Sequence, residues 1–123
     1  MYLVDTNIFL EILLAQEKSR ECKNFLSNNA TCLYLTDFSL HSIGVILFRY
    51  NKKDVFQDFY NDISPIIPII TLREYGLILD ISSKFNLDFD DSYQCSVAKE
   101  NEMTIVTMDK DFKKANGLDV MFL

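Results

Sequence analysis

The sequence predicts an α/β fold, a three-layer α/β/α arrangement around a central, mainly parallel sheet of about four to five short strands. Three observations lead there. Short apolar runs alternate along the chain with segments of helical spacing. The clearest strand, Thr104-Ile105-Val106, is β-branched and comes directly after a helix-like stretch. No repeat, low-complexity tract or linker interrupts the alternation.

Tyr2-Leu3-Val4 reads as the first strand, and Ile8, Leu10, Ile12 and Leu13 have the spacing of a helix that Asn7 can cap. A second helix is expected from about Lys18 to Ser27, before the apolar run Cys32-Leu33-Tyr34-Leu35. Thr36 or Asp37 then caps a third helix bearing Leu40, Ile43, Leu47 and Phe48. Lys52 to Asp62 is amphipathic, with Val55, Phe56 and Phe59 on one side. Pro65 and Pro68 bracket the Ile-rich segment 66–70, which makes a short edge strand, because proline cannot donate to a ladder. Leu72, Tyr75, Leu79 and Ile81 predict a helix from Thr71 to about Phe85, and Asp90 or Asp91 caps another through Tyr93, Val97 and Ala98. After Thr104-Ile105-Val106 and a basic stretch, Val120-Met121-Phe122 forms the last strand.

A chain of 123 residues suits one domain spanning 1–123, since a second core would need roughly 50 residues of its own. Its 49% hydrophobic and 24% charged residues are enough for a buried core. Apolar runs fall short of the roughly 20 residues that span a bilayer, and no basic leader precedes Asp5, so a cytoplasmic location without membrane association is expected. Cys22, Cys32 and Cys95 form no Cys-x-x-Cys pair and read as buried free thiols. A net charge of −6 argues against gripping nucleic acid through a broad basic face. A carboxylate cluster loaded with a divalent cation reverses the local field where a phosphate must approach.

The acids fall where such a cluster could form. In an open parallel sheet, ligands bind beyond the carboxyl ends of the strands. Asp5 follows the first strand, Asp109 follows Thr104-Ile105-Val106 after two residues, and Asp91 begins the helix leading into that strand. Crowded carboxylates repel one another unless a cation compensates, and all-oxygen ligands favour Mg2+ or Mn2+. Asp5, Asp91 and Asp109 are thus the candidate metal ligands and catalytic residues. Each could instead simply cap a helix. Thr6, Asn7, Ser42, Asp90, Thr107 and Asp111 are candidates for supporting the ligands, with Asp90 and Asp111 expected not to ligate directly. Lys110, Lys113 and Lys114 could guide a phosphate backbone, although lysines there also suit a solvated surface. His41, the sole histidine, has no partner for a soft-metal site, and nothing around Ser39 or Ser42 marks a nucleophile elbow.

Three blocks together resemble the PIN domain family, particularly its small VapC-like ribonuclease toxins: Tyr2-Leu3-Val4-Asp5-Thr6-Asn7, Leu87-Asp88-Phe89-Asp90-Asp91-Ser92 and Thr104-Ile105-Val106-Thr107-Met108-Asp109-Lys110-Asp111-Phe112. The resemblance covers nearly the whole chain. It implies a Mg2+- or Mn2+-dependent endoribonuclease acting on RNA, a homodimer, and a small antitoxin protein as partner. It also exposes a departure. The family usually carries a glutamate on the third helix, where this chain has Ser42 or His41. The alternative is therefore a catalytically weakened PIN-fold module that binds RNA or a protein without cutting. An aspartyl-phosphate protein such as a receiver domain is disfavoured, because Asp5 stands alone after the first strand and the acidic pair comes late. Leu10, Leu13, Leu14 and Phe48 are candidates for a groove that would take a partner helix or another copy, against ordinary core packing.

Overall fold

The computed structural model describes residues 1–123. Five strands, β1 (Tyr2–Val4), β2 (Leu33–Thr36), β3 (Ile69–Ile70), β4 (Thr104–Thr107) and β5 (Val120–Phe122), form one sheet in the order β3-β2-β1-β4-β5. Every pairing is parallel, with Leu3 opposite Tyr34 on one side and Ile105 on the other. Six helices connect them: α1 (Thr6–Leu13), α2 (Ser19–Asn28), α3 (Asp37–Arg49), α4 (Lys53–Ile63), α5 (Gly76–Phe85) and α6 (Phe89–Asn101). The expected α/β fold is thus the observed one, and β3 lies at the edge, where Pro68 precedes it.

Strand side chains alternate between two cores, as the period of two requires. Leu3 and Ile105 face Ile78, Ile81, Val97 and Ala98 from α5 and α6. Their neighbours Val4 and Val106 face Ile8, Phe9, Ile43, Leu47 and Phe59 from α1, α3 and α4. Near-continuous apolar strands are the consequence of burial on both sides.

Several local expectations are corrected. Asp5, rather than Asn7, caps α1 by accepting from Thr6 N at 2.8 Å. Of the two caps expected for α3, Thr36 serves, accepting from Ser39 N. Asp88, rather than Asp90 or Asp91, caps α6 by accepting from Asp91 N at 2.9 Å. The helix expected from Thr71 begins only at Gly76. The N–H groups of Leu72, Arg73 and Glu74 are drawn to the Tyr93 hydroxyl and the Glu100 carboxylate, and these contacts from α6 hold the segment out of a helix. Burial of the thiols holds for Cys22 and Cys95, but Cys32 is exposed. No helix is long and apolar enough to cross a membrane.

Candidate metal centre

The strand order reverses direction at β1, with β2 on one side and β4 on the other, so the connections leaving β1 and β4 diverge. A crevice opens at such a switch point. Here it is a cleft of about 290 Å3 lined by Asp5, Thr6, Asn7, Ser42, Asp90, Asp91, Gln94 and Asp109, with Leu10, Phe38 and Ile46 as its apolar wall. No lysine or arginine lines it.

Asp5 is 8% exposed, at the end of β1. Thr107 Oγ1 donates to its Oδ2 at 2.8 Å, while Thr6 N and Gln94 Nε2 donate to its Oδ1 at 2.8 and 3.2 Å. Burial pushes the Asp5 carboxyl above its ordinary value; the bonds from Thr107, Gln94 and Thr6 pull it back, and the nearby charge of Asp109 adds to the rise. Asp91, in the first turn of α6, is pushed up to about 7, first by burial and then by Asp88, Asp109, Asp5 and Asp111. No hydrogen bond from the protein offsets its charge.

Asp109 follows β4 and accepts from Asp111 N at 2.9 Å, which curls residues 110–114 into a 3-10 turn. That curl returns Asp111 towards its neighbours. Oxygens of Asp91, Asp109 and Asp111 lie within 4.8 Å of one another. The tightest carboxylate group is therefore not the expected trio: Asp111 stands where direct ligation was not expected, and Asp5 lies outside the group while lining the same cleft.

The remaining candidates separate clearly. Thr107 accepts from Asp109 N and Asn7 Nδ2, and Asn7 Oδ1 accepts from Met108 N, so both brace the ends of β1 and β4. Thr6 donates to Ser39 Oγ. Asp90 is exposed at the rim of the cleft. Ser42 faces the cleft, whereas His41 lines a different hollow with Leu40, Val45 and Phe48. Lys110 lies over the Phe122 ring at 5.5 Å, Lys113 lines a hollow beside Phe112, and Lys114 is exposed on the same turn. None of the three enters the cleft.

Sequence reasoning missed Gln94, Ser39 and Thr36, all buried. A signal existed for Gln94. It follows Asp91 by one helical turn and is a polar residue among the buried Tyr93, Cys95, Val97 and Ala98.

A divalent cation fits this donor set. Its ligands are all oxygens, which suits a hard ion, and three carboxylates are close enough for metal–oxygen bonds of about 2.1 Å to draw together. The Asp91 carboxyl, raised first by burial and then by its acidic neighbours, is one whose charged form a bound cation would favour.

The PIN domain family model matches residues 2–118. No curated protein sequence matches the chain. Among solved structures, the fold is similar to VapBC2 from Rickettsia felis bound to a DNA fragment from their promoter, with TM-score 0.82 and 18% identity over 98% of this chain and 97% of that one. It is also similar to a toxin–antitoxin complex from Klebsiella pneumoniae, with TM-score 0.81 and 20% identity over 98% and 96%. A third similar structure is VapC20 of Mycobacterium tuberculosis, a sarcin–ricin loop cleaving toxin, with TM-score 0.77 and 14% identity over 94% and 95%.

Proposed function

Because the chain belongs to the PIN domain family, we propose that residues 1–123 form one nuclease domain, a metal-dependent endoribonuclease that is the toxin of a toxin–antitoxin pair. The observation that carries this reading is the cleft at the β1–β4 switch, where Asp5, Asp91 and Asp109 gather with no basic side chain among them. Asp91 and Asp109, with Asp5 behind them and Asp111 beside them, would hold Mg2+ or Mn2+. The bound ion supplies a Lewis acid that makes water a stronger nucleophile at neutral pH and offsets charge developing on the phosphoryl oxygens.

The protein's own part is to hold these oxygens still. Thr107, Gln94 and the Thr6 N–H fix Asp5 on both oxygens, and Thr107 also fixes the backbone of Asp109. Lys110, Lys113 and Lys114 share a turn with Asp111 and offer positive charge to an approaching phosphate backbone. A small acidic cleft favours RNA with unpaired, splayed nucleotides over a regular duplex. A loop in a structured RNA suits this, in keeping with the similar fold of a toxin that cleaves the sarcin–ricin loop.

Partner surfaces are proposed on other faces. Phe9, Ile12, Leu13, Leu26, Val55 and Phe59 line an apolar groove of about 430 Å3 between α1, α2 and α4, rimmed by Asp58 and Asp62. It suits an amphipathic, partly basic antitoxin helix. The expected groove from Leu10, Leu13, Leu14 and Phe48 does not form as one surface: Leu13 lines this groove, Leu10 the acidic cleft and Phe48 the hollow beside α3. Exposed Tyr75, Leu79 and Phe89 on the α5–α6 side supply apolar area for a homodimer.

Ser42 in the cleft favours the second reading, a PIN-fold module that binds RNA or protein but cuts poorly. Mn2+ binding by calorimetry and cleavage of a mixed RNA pool separate the two, with Asp5→Asn and Asp109→Asn as controls. Cleavage by the wild type that requires Mn2+ and is lost in both variants is expected. RNA binding without metal and without cleavage would favour the module instead.

A further inference from the structure

Gln94 is a buried side-chain amide on α6 whose two ends meet different neighbours. Thr36 Oγ1 accepts from Ser39 N at 3.0 Å and donates to Gln94 Oε1 at 2.9 Å. That donated proton favours the carbonyl at this end of the Gln94 amide. The other end, Nε2, must face away from Thr36. It donates to Asp5 Oδ1 at 3.2 Å and to Ser39 Oγ at 2.6 Å. Ser39 Oγ also accepts from Thr6 Oγ1 at 2.9 Å, so the network reaches back to the residue after Asp5. Gln94, Thr36 and Ser39 are each 2% exposed or less.

A flipped amide would bring its carbonyl oxygen against the Asp5 carboxylate and its NH2 against the Thr36 hydroxyl. That state is disfavoured because it sets the amide carbonyl against the Asp5 carboxylate oxygen and takes from the buried Thr36 proton the acceptor it now has. Asp5 lacks any lysine or arginine partner in the cleft, so neutral donors alone hold it. An apolar core would have placed a leucine-like side chain at this depth. A polar amide there is tolerated only if fully satisfied, and here it is.

We propose that Gln94 is a positioning residue, oriented by the Thr36 hydroxyl, that holds Asp5 ready for the divalent cation. The inference rests on the reading of the cleft as a metal site and names the part of α6 that serves it. Its action is indirect: Gln94 holds Asp5, and Asp5 meets the ion. Loss of such a supporting contact lowers metal affinity by about tenfold or more.

Two measurements on the full chain test it. The first is Mn2+ affinity by calorimetry for Gln94→Met, which keeps the volume but removes the donors, alongside Thr36→Val and Thr36→Ser. Gln94→Met and Thr36→Val should each bind Mn2+ about tenfold more weakly while retaining a native circular dichroism spectrum, and Thr36→Ser should recover wild-type affinity. The second is NMR of the metal-free wild type, which does not depend on any variant folding. Gln94 should show two resolved side-chain amide protons protected from exchange. Wild-type Mn2+ affinity in folded Gln94→Met would overturn the proposal, as would amide protons exchanging at the rate of a solvated glutamine. If the wild type binds Mn2+ but cuts no RNA while folded Gln94→Met binds Mn2+ about tenfold more weakly, the nuclease reading fails and the positioning role stands. If the wild type cuts RNA while folded Gln94→Met binds Mn2+ undiminished, the positioning role alone fails.

Discussion

Thr107 Oγ1 donates to Asp5 Oδ2 at 2.8 Å, and its other bonds leave it no alternative. The same oxygen accepts from Asp109 N at 3.0 Å and from Asn7 Nδ2 at 3.4 Å, so its one proton is directed to the carboxylate. One hydroxyl thereby ties the end of β1 to the end of β4 and to the turn carrying Asp109. Thr107→Val keeps the shape of this fully buried side chain but leaves Asp5 and the part-buried Asp109 N–H each short of a partner. A loss of about 1–3 kcal/mol in urea unfolding is expected, with most of it restored in Thr107→Ser. An unchanged urea midpoint in the valine variant would show that this bond does not brace the cleft.

The raised carboxyl of Asp91 makes a pH prediction whose sign is opposite for the metal-free and metal-bound protein. Its folded value is about 7, above the roughly 3.9 of an unfolded aspartate. Between these values the folded state holds a proton that the unfolded state has lost, so metal-free stability falls as pH rises from about 4 to about 7. A cation replaces that proton, so Mn2+ affinity should rise across the same window. Urea midpoints in EDTA and Mn2+ titrations from pH 5 to pH 8 read the two effects. Asp91→Asn should flatten the stability profile and raise metal-free stability at pH 8. A wild-type profile that is already flat would contradict the raised value.

Ser42 faces the acidic cleft, so Ser42→Glu adds a carboxylate where the family usually carries one. Added negative charge should raise Mn2+ affinity by about tenfold and lower metal-free stability, because ligand charge tunes affinity while like charges repel without the ion. Calorimetry and urea unfolding in EDTA read both. An increase in RNA cleavage alongside would show that the missing acid limits turnover. If the variant is more stable without metal, the added side chain does not join the cluster.

Ile66 lines the groove between α1, α2 and α4 yet is 61% exposed. Ile66→Lys should therefore leave stability within about 0.5 kcal/mol while opposing an apolar, basic partner helix. Binding to a small antitoxin protein should weaken by at least about fivefold, or roughly 1 kcal/mol. Equal capture of wild type and variant in co-purification would place the antitoxin elsewhere.

Much of this molecule is written locally. Thr104-Ile105-Val106 could be recognised as a strand because β-branched residues suit a pleated, buried surface, and Pro65 and Pro68 marked the segment 66–70 as an edge strand. Alternation of such runs with helical spacing was enough to predict a parallel sheet, and Asp5 and Asp109 were singled out by their place at or two residues beyond a strand end. Caps were less legible. Asp88, Asp90 and Asp91 stand together, and only the path of the backbone decided that Asp88 takes the capping role while Asp91 faces the cleft. The start of α5 was lost for a similar reason, since the Tyr93 hydroxyl and Glu100 carboxylate that hold residues 72–74 come from a helix about 20 or more positions later.

Sequence alone determined the succession of elements, the two apolar faces of the sheet and the acids at its carboxyl edge, because these depend on periodicity and on nearest neighbours along the chain. Tertiary structure alone decided that Gln94 meets Asp5, that Ser42 rather than His41 enters the cleft and that Asp111 joins Asp91 and Asp109. Those meetings follow from strand order and helix rotation, which set distances between residues far apart in sequence, and a hydrogen bond exists only when such distances close to about 3 Å.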